Sequence, residues 1–272
     1  MSAVVPLVDA EDTSLFGSKA VGLGQALRDG LPVPPGVALA GDVVDAVASR
    51  DEDAIRQLAE SVQPLDGPLA VRSSAVDEDG ASASFAGQHL TLLNVRGADE
   101  LTAAVSDVWW SANSDSAITY RQRLGLFTRP SVGVVVQVLV DPETAGVMFT
   151  QNPVTGADER VIEGSLGLGE AVVAGRVIPD HYRVSREGEI LERTPGRKDV
   201  AFRSLPEGGT FEEAVPAELV ERLCLDDAQV GELNTLADHC ERVYGAARDI
   251  EWAIAGGTVY LLQCRAVTRA GA

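Results

Sequence analysis

A carboxylate, an amide and a guanidinium fall close together near the C-terminus. Asp249-Ile250-Glu251-Trp252 is followed by Ala255-Gly256-Gly257 and then by Leu262-Gln263-Cys264-Arg265. Two such runs around a glycine pair read as a β-hairpin. Gln263 and Arg265 are two apart on a strand and so share a face. The side taken by Glu251 depends on the turn. A three-residue loop, Ala255-Gly256-Gly257, sets Ile254 opposite Thr258 and Glu251 opposite Leu261, on the face of Gln263 and Arg265. A two-residue Gly-Gly loop flips the parity and turns Glu251 away. This set of groups suits one task, holding a metal ion against a polyphosphate, so the three-residue loop is the expectation. Asp249 then shares Glu251's side and supports the metal, while Trp252 and Ile254 pack into the core.

Cations that would meet phosphate lie far upstream. Gly17-Ser18-Lys19-Ala20 precedes a helix with Ala20, Leu23, Gly24 and Leu27 on one face. Ser18 is a candidate cap, and free N–H groups with Lys19 would face an anion. The spacing is not that of a Walker loop, and a solvated surface lysine is the plain alternative. Val71-Arg72-Ser73-Ser74 ends a strand with an arginine, whose planar fork suits phosphate oxygens. The alternative there is a surface ion pair with the acidic loop Asp77-Glu78-Asp79. Ser82-Ala83-Ser84-Phe85-Ala86-Gly87-Gln88 is a small-residue loop that lets backbone N–H groups approach phosphates, or else a plain turn. Thr91 follows Gly87 by four residues. Gln137 sits inside the valine run 134–136, and a buried amide must find partners, either an adenine edge or the backbone of a neighbouring strand. Gly167-Leu168-Gly169-Glu170 is a second glycine loop that would suit an anion. His89, His181 and His239 have no metal-ligand spacing.

The elements that must position these groups read as follows. A polar loop over 12–19 leads into a helix that stops at Gly30. Residues 42–62 read as helix, 69–73 as a strand, and 85–95 as a glycine turn and strand. Residues 101–110 and 116–124 read as amphipathic helices, and 132–140 as a buried strand. Strands follow over 147–150 and 161–163, and between 181 and 200, where Gly188 and Pro195-Gly196 interrupt them. Residues 216–244 read as two helices around Asp226-Asp227. Hairpins mixed with helices argue an α+β fold with antiparallel sheets.

At 272 residues the chain can bury a large core. Its formal charge of −19 disfavours nucleic acid and anionic membrane as partners. Three cysteines without metal spacing suit reduced thiols. No basic leader and no apolar run of about 20 residues is present. A cytoplasmic protein is the expectation.

Taken together, the motifs resemble the N-terminal ATP-binding domain of the phosphoenolpyruvate synthase and pyruvate phosphate dikinase family, shared by rifampicin phosphotransferase. The matching text runs from Gly17-Ser18-Lys19-Ala20 through Pro32-Val33-Pro34-Pro35-Gly36, Val71-Arg72-Ser73-Ser74 and Ser84-Phe85-Ala86-Gly87-Gln88. It continues through Gly146-Val147-Met148-Phe149-Thr150, Asn152-Pro153-Val154-Thr155-Gly156 and Gly167-Leu168-Gly169-Glu170 to the hairpin. The resemblance implies a two-lobed ATP-grasp-like unit, roughly 1–140 and 141–272, with ATP between the lobes. It implies that Lys19 and Arg72 hold ATP phosphates, that the Gly87 loop covers them with Thr91 nearby, and that Gln137 lies at the adenine side. Glu251 and Gln263 would ligate Mg²⁺ with Asp249 close by, and Arg265 would meet the transferring phosphoryl group. The family passes the β-phosphate of ATP to a histidine, leaving AMP and phosphate. No swivelling histidine domain fits in this chain, so a separate phosphohistidine-domain protein acting in trans is the expected partner, with a small molecule as final acceptor. A stand-alone small-molecule kinase or ATP-grasp ligase, and a non-catalytic nucleotide-binding module, are the other readings. The chain departs from the family pattern in carrying Ser18 at a usual glycine, Ala266 where proline is common, and a short stretch between Lys19 and Arg72.

Overall fold

A computed structural model describes residues 3–75, 90–114, 117–119 and 131–267. The backbone divides into two compact units. The first comprises Met1–Arg28, Pro34–Leu139 and Pro206–Gly209; the second comprises Asp29–Val33, Val140–Leu205 and Thr210–Ala272.

The first unit is built on a five-stranded antiparallel sheet of order β1-β2-β5-β3-β4. Its strands are β1 (Val4–Pro6), β2 (Gly36–Leu39), β3 (Leu69–Ala75), β4 (Thr91–Val95) and β5 (Val132–Val138). Its helices are α1 (Thr13–Arg28), α2 (Gly41–Ala48), α3 (Glu52–Val62) and α4 (Gly97–Ala112). The valine run of β5 divides by parity. Val132, Val134 and Val136 join a core with Val44, Leu58 and Val105 of α2, α3 and α4. Gly133, Val135 and Gln137 face the other way, and α1 packs on β3 and β5. Both faces of β5 are therefore covered, which is why its sequence lacks polar alternation.

Several boundaries differ from the sequence expectations. The segment 42–62 is two helices, because Asp51 caps a new one: its Oδ1 accepts from Asp53 N at 3.1 Å and Ala54 N at 2.9 Å. The segment 12–19 is helical from Thr13, where Asp12 Oδ1 accepts from Ser14 N at 2.8 Å, and is broken at Gly17. The expected helix over 116–124 and the start of the 85–95 segment lie largely outside the described residues.

The second unit carries a six-stranded antiparallel sheet of order β13-β12-β6-β7-β8-β9. These strands are β6 (Thr144–Phe149), β7 (Arg160–Leu166), β8 (Asp180–Val184), β9 (Ile190–Thr194), β12 (Arg248–Ala255) and β13 (Thr258–Ala266). A separate ribbon pairs β10 (Val200–Ser204) with β11 (Thr210–Ala214). The helices are α5 (Glu170–Val173), α6 (Ala217–Val220) and α7 (Asp227–Tyr244). At the expected helix junction Asp226-Asp227 a capping box starts α7: Asp226 Oδ1 accepts from Gln229 N at 2.8 Å and Gln229 Oε1 accepts from Asp226 N at 2.9 Å. One sheet face buries Met148, Ile162, Tyr182, Ile250 and Trp252, and α7 packs on β12 and β13. Gly146 lies opposite Trp252 and leaves room for its indole; a Cβ there would sit 2.8 Å from Trp252 Cζ2.

The break at Pro195-Gly196 is pinned from within. Asp180 and Lys198 are both fully buried and paired. Asp180 also accepts from Gly196 N and Cys224 N, each at 2.7 Å. A buried charge is tolerated only with such partners. The fold is α+β with antiparallel sheets, as expected. No helix among the described residues is long and apolar enough to cross a membrane.

Candidate functional site

In the first unit, the segment Ser18–Ala20 that carries Lys19 is held by three consecutive residues of β3. The helix α1 breaks at Gly17, with φ 80° and ψ 165°. A Cβ at Gly17 would lie 2.0 Å from the Ser74 carbonyl oxygen, and one at Gly133 2.4 Å from the Phe16 carbonyl oxygen. The Phe16-Gly17 backbone thus lies flat on the Ser74–Gly133 pair of β3 and β5. Beyond the break, Ser18 Oγ donates to Ala75 O at 3.0 Å, Lys19 Nζ to Ser73 O at 2.9 Å and Ala20 N to Ser74 Oγ at 3.0 Å. Ser18 is therefore not the cap expected from sequence. Ser74 supplies it from another element, since the close approach of β3 places its hydroxyl on the buried N–H of Ala20.

Lys19 and Arg72 are each only 8% exposed. Neither is a solvated surface side chain, and the acidic loop Asp77-Glu78-Asp79 named as the alternative partner of Arg72 lies outside the described residues. Arg72 stands opposite Thr91 on β4 and Val135 on β5, so Arg72 and Thr91 are lateral neighbours on one sheet face. Gln137 is on the same face, opposite Ala70. Its Nε2 donates to Pro34 O at 3.0 Å, so the buried amide nitrogen finds a backbone partner. Gly87 and His89 lie outside the described residues.

In the second unit the hairpin departs from expectation and still achieves its purpose. The loop has two residues, Gly256 and Gly257, with φ of 56° and 75°, and Ala255 pairs with Thr258. Asn-Gly-like turns of this kind need positive φ at both central positions, which glycine allows. The ladder then runs regularly to Trp252 opposite Leu261 and shifts, so that Glu251 faces Gln263 and Asp249 faces Arg265. Leu262 is the extra residue of a β-bulge. An unbulged ladder would set Gln263 opposite Ile250 and drive an amide and a guanidinium into the buried face. The bulge puts Glu251, Gln263, Asp249 and Arg265 on one face, with Trp252 and Ile254 buried on the other.

Lateral pairing extends this face across the sheet as the row Gln263–Glu251–Val147–Glu163–His181–Thr194. Sequence reasoning placed Glu163 on a strand without a role; its parity with Val147 brings it into line with Glu251. His181 Nδ1 lies 3.8 Å from Glu163 Oε1. In the next row, Arg265 Nε and Nη2 donate to Asp249 Oδ2 at 2.8 and 2.7 Å. Burial pushes the Asp249 carboxyl up from the usual carboxylate range, against the opposing pull of Arg265. In the Gly167 loop two N–H groups are already engaged: Gly167 N donates to Glu143 O at 2.9 Å and Leu168 N to Phe202 O at 3.0 Å. His239 Nε2 lies 3.1 Å from Asp29 O, in keeping with a structural role.

Among the described residues no group of three or more His, Cys, Asp or Glu is gathered as a metal site. Glu251 and Gln263 bring one carboxylate and one amide oxygen side by side, with Asp249 already engaged by Arg265. So few protein oxygens fit Mg²⁺, which keeps water and substrate phosphate oxygens among its ligands.

Residues 41–272 match the family described as pyruvate phosphate dikinase, AMP/ATP-binding domain. The Lys19 segment precedes the matched span but falls within the alignments to the relatives below, which cover 95% or more of this chain. The chain is 36% identical to a probable phosphoenolpyruvate synthase of Methanothermobacter thermautotrophicus, over 96% of this chain and 45% of that protein. It is 35% identical to a rifampicin phosphotransferase of Streptomyces sp, over 96% of this chain and 35% of that protein. It is also 35% identical to an uncharacterized phosphotransferase, YvkC, of Bacillus subtilis, over 95% and 34%. The chain spans less than half the length of these relatives. Among solved structures, PH1788 from Pyrococcus horikoshii aligns with a TM-score of 0.46 and 14% identity, over 95% of this chain and 94% of that one.

Proposed function

The chain belongs to the pyruvate phosphate dikinase AMP/ATP-binding domain family, and from that premise we propose that it is an ATP- and Mg²⁺-dependent phosphotransferase component. Its phosphoryl acceptor is a histidine on a separate protein. In the proposed reaction the histidine nitrogen forms a bond to the β-phosphorus, AMP leaves, and water takes the γ-phosphate as inorganic phosphate. A small molecule receives the phosphoryl group from that histidine afterwards, and the setting is cytoplasmic. The observation that carries the reading is the bulge at Leu262. It sets Glu251 against Gln263 on the polar face of the hairpin.

Lys19 and Arg72 are assigned to phosphate oxygens in the first unit, with Thr91 and the Gly87 loop beside them and Gln137 toward the adenine. Both cations are buried and held by the fold, so little reorganisation is needed when charge develops. Glu251 and Gln263 would hold Mg²⁺, with Asp249 in support; the ion would neutralise polyphosphate charge. Arg265, oriented by Asp249, is assigned to the transferring phosphoryl group. Phosphoryl transfer depends mainly on such positioning and charge neutralisation. His181 pairs with Glu163 and His239 with the Asp29 carbonyl, so neither is assigned as acceptor.

The test is to incubate the purified chain with Mg²⁺ and ATP labelled at the β-phosphate, with and without a candidate histidine-domain protein. Acid-labile label on that protein, accompanied by AMP, is the expected result. ADP formed by the chain alone would instead indicate a small-molecule kinase, and absence of AMP with every such partner would overturn the reading.

A further inference from the structure

Resting on the proposed nucleotide role of Lys19, we propose that Ser74 is a positioning residue whose hydroxyl fixes the turn that presents the Lys19 ammonium to phosphate. A helix that starts afresh after a break exposes N–H groups without intrahelical partners. The break at Gly17 creates that situation inside the protein, because Ser74 is fully buried and Lys19 nearly so. The Ser74 hydroxyl accepts the N–H of Ala20, the residue directly after Lys19, at 3.0 Å. On either side, Ser73 O takes the Lys19 ammonium at 2.9 Å and Ala75 O takes the Ser18 hydroxyl at 3.0 Å.

The stretch Arg72-Ser73-Ser74-Ala75 therefore does two things. It carries Arg72, and with its next three residues it grips Ser18, Lys19 and Ala20. Of those three contacts, two use carbonyl oxygens that any residue would offer. Only the one from Ser74 depends on side-chain identity. Lys19 has four rotatable side-chain bonds, and a fixed turn beneath it lowers the entropy lost on meeting a ligand. Without the hydroxyl, Ala20 N–H is left buried and unpaired, and the turn relaxes to regain a partner. The Lys19 ammonium then leaves the position set by Ser73 O, the residue adjoining Arg72.

The effect on binding should pass through Lys19 alone, and this distinguishes positioning from general stabilisation. Dissociation constants for Mg·ATP and for adenosine are measured for the wild-type chain, Ser74→Ala, Lys19→Met and the double variant. Ser74→Cys, close in volume but a poor acceptor, covers the case in which the alanine variant does not fold. Ser74→Ala is expected to weaken Mg·ATP about fivefold, the size of a lost helix cap. It is expected to leave adenosine affinity unchanged and to add nothing in the Lys19→Met background. Unchanged Mg·ATP affinity, equal loss for adenosine, or full additivity with Lys19→Met would each overturn the role. A wild-type chain that binds no ATP would overturn the nucleotide reading itself, which the wild-type titration alone reveals.

Discussion

Two glycines of α1 should respond to alanine with opposite signs. Gly17 has φ 80° and ψ 165°, a region open essentially to glycine, and holding another residue there costs about 1–3 kcal/mol. Its Cβ would also fall 2.0 Å from the carbonyl oxygen and 2.5 Å from the hydroxyl oxygen of Ser74, on a strand hydrogen-bonded on both sides. Relieving such an overlap in a packed site adds about 1–3 kcal/mol. Gly17→Ala should therefore destabilise by about 2–6 kcal/mol, a large share of the roughly 5–15 kcal/mol typical of a folded domain. Gly22 lies five residues further along the same helix, with no positive φ and nothing within 4 Å of an added Cβ. Gly22→Ala should stabilise by about 0.5–1 kcal/mol, the helix-interior preference for alanine. Thermal unfolding separates the two, at roughly 2–4 °C per kcal/mol for a protein of this size. A neutral Gly17→Ala, or two variants with the same sign, would refute the clamp of α1 onto β3.

Two further outcomes follow from buried charge. Lys198→Met leaves the fully buried Asp180 carboxylate without its cation and should cost about 3–5 kcal/mol in urea unfolding. Adding Asp180→Asn, which removes the charge and keeps an acceptor for one of the two donors Gly196 N and Cys224 N, should recover part of the loss, and a double variant no better than the single would count against the pairing. Glu159 is held below the ordinary 4.5 first by Arg183 and then by Asn152. A carboxyl lowered in the folded state contributes fully above its unfolded value and loses that contribution as pH falls through the lowered one. The melting temperature should therefore decline below pH 4.5 more steeply for the wild type than for Glu159→Gln, and parallel curves would show the assignment to be wrong.

Much of the architecture was legible because hydrophobic parity and turn chemistry are local. The antiparallel α+β class, the breaks at Gly188 and Pro195-Gly196 and the helix junction at Asp226-Asp227 all came from such signals. The site residues were legible as residue types, but their placement was not. Burial of Lys19 depends on Gly133 and Ser74, more than 50 residues away in sequence, allowing β3 and β5 to approach α1. The hairpin shows the sharper case. Its glycine pair gave a choice of loop lengths, and the required alignment of Glu251 with Gln263 and Arg265 favoured three residues. The protein uses the two-residue turn and restores parity with a bulge at Leu262, where no glycine marks the chain. Side-chain chemistry foretold the outcome, which residues share a face, while the backbone route to it was set by the cost of burying Gln263 and Arg265 beside Ile250. In the same way, the Gly167 loop looked like an anion site by composition, and the N–H groups of Gly167 and Leu168 are taken by the Glu143 and Phe202 carbonyls.

We propose that this chain binds ATP with Mg²⁺, with Lys19 and Arg72 assigned to phosphate and Glu251 and Gln263 to the metal. Calorimetric titration of ATP into the purified chain, with and without Mg²⁺, tests it most directly when repeated for Lys19→Met and Glu251→Gln. Wild-type binding is expected, and it should strengthen with Mg²⁺. Glu251→Gln should abolish the Mg²⁺ dependence, and Lys19→Met should weaken binding in both conditions. No binding by the wild type, or binding indifferent to Mg²⁺ and to both substitutions, would contradict it.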